Sequence, residues 1–88
     1  MNDKISLAGL RARLEETLEW PHEYVFKFIV KVESGDVLRD MFSSDDVRER
    51  YSRRGRYVSL TVIKTLNSSE QVIAVYEKVR AVPGVIML

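Results

Sequence analysis

The residues that could do chemistry in this chain are few, and they do not converge. His22 is the single histidine and there is no cysteine. A transition-metal site would have to be completed by carboxylates alone around one imidazole, and a surface histidine beside Pro21 at the entry to a strand is the simpler reading. The lack of cysteine also removes disulfides, thiolate metal sites and thiol nucleophiles. The carboxylates that could be grouped are Asp36 with Asp40, at i and i+4 of a short helix, and Asp45-Asp46. Two carboxylates serve as acid and base when their surroundings drive their pKa values apart. Nothing in the sequence around these four suggests burial, and helix-start and loop solvation account for them. Ser43, Ser44, Ser52, Ser59, Ser68 and Ser69 have no neighbouring base and no G-x-S-x-G elbow. Gly55 and Gly84 are isolated, so there is no phosphate-cradling loop. The expectation is a protein that is not an enzyme and holds no cofactor or metal.

One grouping rises above background, and it is basic. Arg48, Arg50, Arg53, Arg54 and Arg56 crowd one short stretch. In an extended chain, Val47 and Tyr51 take one side and Arg48 and Arg50 the other. Lys27 and Lys31 alternate in the same way against Tyr24, Phe26, Phe28, Val30 and Val32. Tyr57, Ser59 and Thr61 alternate against Val58, Leu60 and Val62. If the apolar rows all face helices, the opposite face of the sheet is cationic and hydroxyl-lined. The plain alternative is a solvated face whose lysines and arginines discourage edge-to-edge pairing. Charge clusters on small domains are more often of that kind.

The elements that must position these residues follow from periodicity. Residues 5–19 carry Leu7, Leu10, Leu14 and Leu18 in one helical stripe, stopped by Pro21. Gly9 weakens its start by about 1 kcal/mol relative to alanine. Such a stripe usually packs on its own domain; the sharper alternative is a surface for a partner or a second copy. Residues 23–33 form a long strand. Ser34-Gly35 ends it, and Val37, Leu38, Met41 and Phe42 share a face of a short helix that Ser34 or Asp36 could cap. Residues 47–52 and 56–66 make a hairpin whose turn contains Gly55, a residue suited to a positive φ. Ser68 with Gln71 matches a capping box. Val72, Val75, Tyr76 and Val79 then mark a helix running to about Ala81. Pro83-Gly84 breaks it, and residues 85–88 give a last short strand. The order is a helix followed by β-α-β-β-α-β. That predicts an α+β, ferredoxin-like sandwich, with a four-stranded antiparallel sheet, two helices on one face and an extra N-terminal helix. Strands 23–33 and 56–66 should be central, and 47–52 and 85–88 the edges.

Composition bounds the rest. Eighty-eight residues, 45% hydrophobic and 31% charged, make one globular domain. A chain this short buries only roughly 60–65% of its unfolded surface, so modest stability is expected. A net charge of +1 gives no global attraction to nucleic acid or anionic membrane, so any such binding has to come from a local patch. No apolar run approaches the ~18 residues of a membrane span. The start, Met1-Asn2-Asp3-Lys4, lacks a secretory pattern. The expectation is a cytoplasmic protein.

Three segments resemble the YbeD-like family of small bacterial domains of unknown function. The first is Leu18-Glu19-Trp20-Pro21 with Tyr24 and Phe26-Lys27-Phe28, similar to the family's Leu-Glu-Phe-Pro and Lys-Val pattern. The second is Ser52-Arg53-Arg54-Gly55-Arg56-Tyr57-Val58-Ser59-Leu60-Thr61-Val62, similar to its Ser-Ser-Lys-Gly-Asn-Tyr-x-Ser-Val-Thr-Val. The third is Val72, Tyr76 and Val79 leading to Val85 and Met87-Leu88, similar to its closing helix and strand. Together they cover most of residues 18–88. The departures are a shorter segment 34–46, Trp20 in place of a phenylalanine, and a helix over residues 5–17 that looks like an addition. The division is therefore residues 1–19 as an N-terminal amphipathic helix and residues 20–88 as the YbeD-type domain. The resemblance implies a ferredoxin-like fold with a topology similar to ACT-like regulatory domains. It brings no catalytic residues to carry over.

Three functional expectations remain. The first is a regulatory or interaction module that takes a protein partner or a small anion on the open sheet face. Its candidate residues are Lys27, Lys31, Arg48, Arg50, Arg53, Arg54, Arg56, Tyr57, Ser59 and Thr61. The second is RNA binding by the basic hairpin 48–57. It ranks lower, because the module it would imitate stacks bases on open-face aromatics, and here Tyr24, Phe26 and Phe28 point the other way. The third is a self-associating structural domain, pairing as a homodimer through the sheet face, the edge 85–88 or the leucine stripe.

Overall fold

A computed structural model describes residues 7–88. The first two residues of the expected 5–19 helix, Ile5 and Ser6, lie outside the described residues. The elements are α1 (Leu7–Thr17), β1 (His22–Lys31), a 3-10 turn (Val32–Ser34), α2 (Gly35–Met41), β2 (Asp46–Tyr51), β3 (Tyr57–Leu66), α3 (Ser69–Val79) and β4 (Ile86–Met87). The sheet is four-stranded with order β2-β3-β1-β4, and every neighbouring pair is antiparallel. This is the α+β arrangement expected of a ferredoxin-like fold with an added N-terminal helix. The two long apolar strands are central and the two short ones are the edges.

Alternation in the central strands builds the core. Phe26, Phe28 and Val30 of β1 and Val58, Leu60 and Val62 of β3 are all buried and lie opposite one another in register. The rings form a chain of contacts. Phe26 and Phe28 have centroids 5.9 Å apart, Phe28 and Phe42 are 5.8 Å apart, and Phe26 meets Tyr76 of α3 edge-on at 5.3 Å. His22 and Trp20 extend this row. His22 is half-buried, with ring centroids 6.1 Å from Trp20 and 6.4 Å from Tyr24. It stands at the entry to β1, as expected from the sequence, but is half-buried against these rings where a surface histidine was expected. The Trp20-Pro21 peptide is cis.

Helix α3 contributes the predicted stripe of Val72, Val75, Tyr76 and Val79, and Ser68 caps it as the capping box predicts, while the Gln71 side chain reaches back one residue beyond the cap, to Asn67. The Gln71 N–H donates to Ser68 Oγ at 3.3 Å, and Gln71 Oε1 accepts from the Asn67 N–H at 2.8 Å. Ile73, off that stripe, is buried as well. A second side of α3 is covered because α1 packs on it. The buried Ser69 hydroxyl donates to the Glu15 carboxylate, and Arg11 reaches Glu70 at 3.5 Å. Leu14 is buried in the core, with Leu7, Leu10 and Leu18 packed around it. The leucine stripe therefore faces its own domain.

Two boundaries differ from expectation. Strand β1 ends at Lys31. Val32 leaves the sheet, sends its N–H to the Arg56 carbonyl at 2.9 Å, and is 36% exposed. The chain must turn early because α2 starts at Gly35, which is buried where a Cβ would come within 3.3 Å of Val58. A side chain at this position would press on Val58 and on the Arg39 guanidinium, each of which would have to give by a few tenths of an ångström. In α2, Leu38 is buried and Phe42 follows it into the core, but Val37 is 54% exposed. Neither proposed cap side chain bonds the helix start; Ser34 makes no such hydrogen bond, and Asp36 turns to Arg39.

Phe28 is fully buried between Phe26 and Phe42, so Phe28→Ala is expected to cost about 3–5 kcal/mol, read as a lowered midpoint in urea. Tyr76 gives a pH signature. Burial, with the Tyr24 hydroxyl 3.3 Å away, pushes its phenol well above the ordinary value. A folded-state pKa above the unfolded one means that this contribution is complete below the unfolded pKa of about 10 and is lost as pH rises beyond it. Stability should therefore fall above pH ~10, by up to about 1.4 kcal/mol per pH unit from this group. Tyr76→Phe should remove that part of the slope in denaturation series across the alkaline range.

Candidate functional site

The open face of the sheet is set by the same alternation that fills the core. Across the strands, Arg48 of β2 lies opposite Thr61 of β3, which lies opposite Lys27 of β1. The next row is Arg50, Ser59, Ile29 and Ile86. Tyr57 lies opposite Lys31 on one side of these rows, and Asp46, Ile63 and Val25 form the row on the other side. Lys27, Lys31, Arg48, Arg50, Tyr57, Ser59 and Thr61 thus share one face. Val25 is 57% exposed and Ile86 40%, while Ile29 and Ile63 are half-buried between them. The face is an apolar patch with cations along it.

Arg53, Arg54 and Arg56 sit apart from that face, in the exposed turn 52–56 that joins β2 and β3. Ser52 holds this turn. Its N–H donates to the Tyr57 carbonyl at 2.8 Å, its carbonyl accepts from the Gly55 N–H at 2.9 Å, and its hydroxyl oxygen accepts from the Tyr57 N–H at 3.1 Å. Gly55 closes it with φ of 73°. The sequence marked Gly55; the anchoring role of Ser52 was not apparent, because its partners lie across the turn.

Electrostatics divides the charged residues into two classes. Asp36 and Glu49 both bind Arg39, the first at 2.5 Å and the second through two guanidinium nitrogens. The Glu49 hydrogen bond, chiefly, holds the Arg39 guanidinium above its ordinary pKa. Lys64 grips Asp45 at 3.0 and 3.2 Å, and Arg48 approaches Asp46 at 3.7 Å. The carboxylates at 36, 45 and 46 are each matched to a separate cation, which does not bring them together as an acid–base pair. By contrast, the side chains of Lys27, Lys31, Arg50, Arg53, Arg54 and Arg56 make no ion pair or hydrogen bond among the described residues, although the Arg50 carbonyl accepts from the Ser59 hydroxyl at 3.4 Å. Among the described residues, no cluster of His, Asp or Glu has the arrangement of a metal site, and no helix is long and apolar enough to cross a membrane.

Two concavities flank Tyr57. The larger, about 610 Å³, lies between the open face and the turn and is lined by Ile29, Arg50, Tyr51, Ser52, Arg53, Tyr57 and Ser59. The smaller, about 470 Å³, lies on the other side of the ring, beside Lys31, Val32, Glu33, Gly55 and Arg56.

A family profile described as Protein of unknown function (DUF493) matches residues 15–88. The chain belongs to that family. The YbeD-like resemblance seen in the sequence is to this same family. The DUF493 match begins inside α1 and takes in the whole sheet, so most of α1 stands before it. Neither a curated protein nor a solved structure matches the chain. DUF493 membership therefore brings a description without an assigned activity.

The turn that carries Arg53, Arg54 and Arg56 depends on a left-handed residue. A Cβ at Gly55 would meet nothing within 4 Å, so the cost of Gly55→Ala is conformational only. It is expected at about 1–2 kcal/mol, measured by thermal or urea denaturation.

Proposed function

We propose that this domain is a non-catalytic interaction module whose open sheet face docks an acidic protein surface. The observation that carries this is the composition of that face. An exposed apolar patch of Val25, Ile29, Ile63 and Ile86 lies beside Lys27, Lys31 and Arg50, none of which has an anionic partner among the described residues. Protein interfaces combine an apolar centre with a polar rim in this way. Complementary charge supplies the choice of partner and the speed of encounter more than the affinity.

Electrostatic cost supports the reading only modestly. Lys27 and Arg48 stand two strands apart, roughly 10 Å, which is about a Debye length at physiological salt. Their mutual repulsion is therefore largely screened, and the free face is tolerated in water. An acidic partner gains from all of these charges at once. The RNA alternative keeps the phosphate-neutralising arginines but has Tyr57 as its only open-face ring among the described residues, too little for a stacking platform. Self-association through the leucine stripe loses support because that stripe packs on its own core. The lack of cysteine suits a cytoplasmic setting.

The test is capture from the source cell followed by titration with the purified partner. One acidic protein should bind at low salt, and Lys27→Glu with Arg48→Glu should abolish the complex, whereas Arg54→Glu in the turn should leave it intact. Capture that survives the double charge reversal, or capture of nothing, overturns the proposal.

A further inference from the structure

The larger concavity beside Tyr57 has a chemistry of its own. Its volume of about 610 Å³ falls in the usual range of small-ligand sites. Two arginines, Arg50 and Arg53, are among its lining residues, and no acidic residue is. Neither guanidinium is engaged by an ion pair among the described residues. Arg39 shows the opposite case in the same domain, with its fork occupied by Asp36 and Glu49. We infer that this concavity is a binding site for a phosphate monoester carrying a planar ring.

The lining supplies one complement for each part of such a ligand. A dianionic phosphate matches two arginine forks, each able to give paired N–H donors to oxygens. A monocarboxylate would leave one fork unused. The Ser52 hydroxyl oxygen accepts from the Tyr57 N–H, so its own proton is free to donate. The ring has apolar and aromatic surface to lie on, from Tyr57 and Ile29, which share the open face. Tyr57 is 41% exposed, so its ring is accessible. Inorganic phosphate would use the arginines and waste these surfaces.

The site goes beyond the docking proposal and can stand or fall separately. It needs Arg53, which belongs to the turn and not to the strand rows, and it does not need Lys27 or Arg48. The phosphate monoester could be a free nucleotide or a phosphorylated tyrosine, and the probes separate the two. The full chain is titrated with adenosine 5′-monophosphate, O-phosphotyrosine, adenosine, tyrosine and inorganic phosphate while backbone amide resonances are followed. At least one ring phosphate should shift the Ile29, Ser52 and Tyr57 amides at millimolar concentration or below, and the tighter of the two names the source. Its unphosphorylated counterpart should shift nothing, and inorganic phosphate should bind about tenfold or more weakly. Arg50→Ala and Arg53→Ala should each weaken binding about tenfold, with the amide spectrum and melting temperature otherwise unchanged. Lys27→Glu should leave it unaltered. The inference is overturned if neither ring phosphate shifts these amides, if inorganic phosphate binds as tightly as the esters, or if the arginine variants bind as the parent does.

Discussion

Among the described residues, the helices cover one face of this sheet. α2 and α3 pack on that side and α1 packs on α3, so the other face carries no helix of this set. A four-stranded sheet with one bare face has to sort its side chains strictly. Rings and branched aliphatics of β1 and β3 point inward, while lysines, hydroxyls and a few aliphatics point outward. Each buried Phe or Leu contributes about 1.5–3 kcal/mol relative to exposure, and a slip of one residue would turn that whole row to water. The register is therefore held by the core. The arrangement of the open face is a consequence of the register.

This dependence explains what could be seen in the sequence. Period-two alternation in β1 and β3 is long and unbroken, so the central strands, the core residues and the sharing of one face by Arg48, Thr61 and Lys27 all followed from it; the row they form is set by the register of the pairing. The capping box at Ser68 is local and equally visible. What escaped was set by contacts between distant elements. Ile73 is buried because α1 lies against α3, and the spacing along α3 cannot reveal a second covered side. Val32 continues the alternation in sequence, yet the chain leaves the sheet after Lys31 in a 3-10 turn that leads into α2, where Gly35 packs close to Val58. Val37 looks like a core residue, but a seven-residue helix covers only Leu38 and the residues that follow on its inner side.

The candidate site was legible in part for the same reason. The strand-borne residues could be placed on a face from their parity alone. Arg53, Arg54 and Arg56 could not, since a turn has no period. Their position follows from the hydrogen bonds of Ser52 and the φ of Gly55. Nor could the sequence say which of the basic residues are already neutralised. Arg39 looks like any other exposed arginine, yet it is the one held by two carboxylates, whereas Arg50 and Arg53 have none.

Arg39 also bears on how the open face keeps its shape. β2 is an edge strand with only Val47 half-buried, so apolar packing holds it weakly. Its backbone bonds to β3 tolerate sliding, because a ladder of main-chain groups is nearly the same after a shift of register. Glu49 breaks that degeneracy. It lies on the helix side of the strand, opposite Leu60, and is gripped there by Arg39 of α2. With Glu49 fixed inward, Arg48 and Arg50 must point outward. The Arg39–Glu49 link is a surface interaction with a small energy, and it adds to the half-burial of Val47 on the same side of the strand. A basic face borne by a weakly buried edge strand is thus oriented from the opposite side of the sheet.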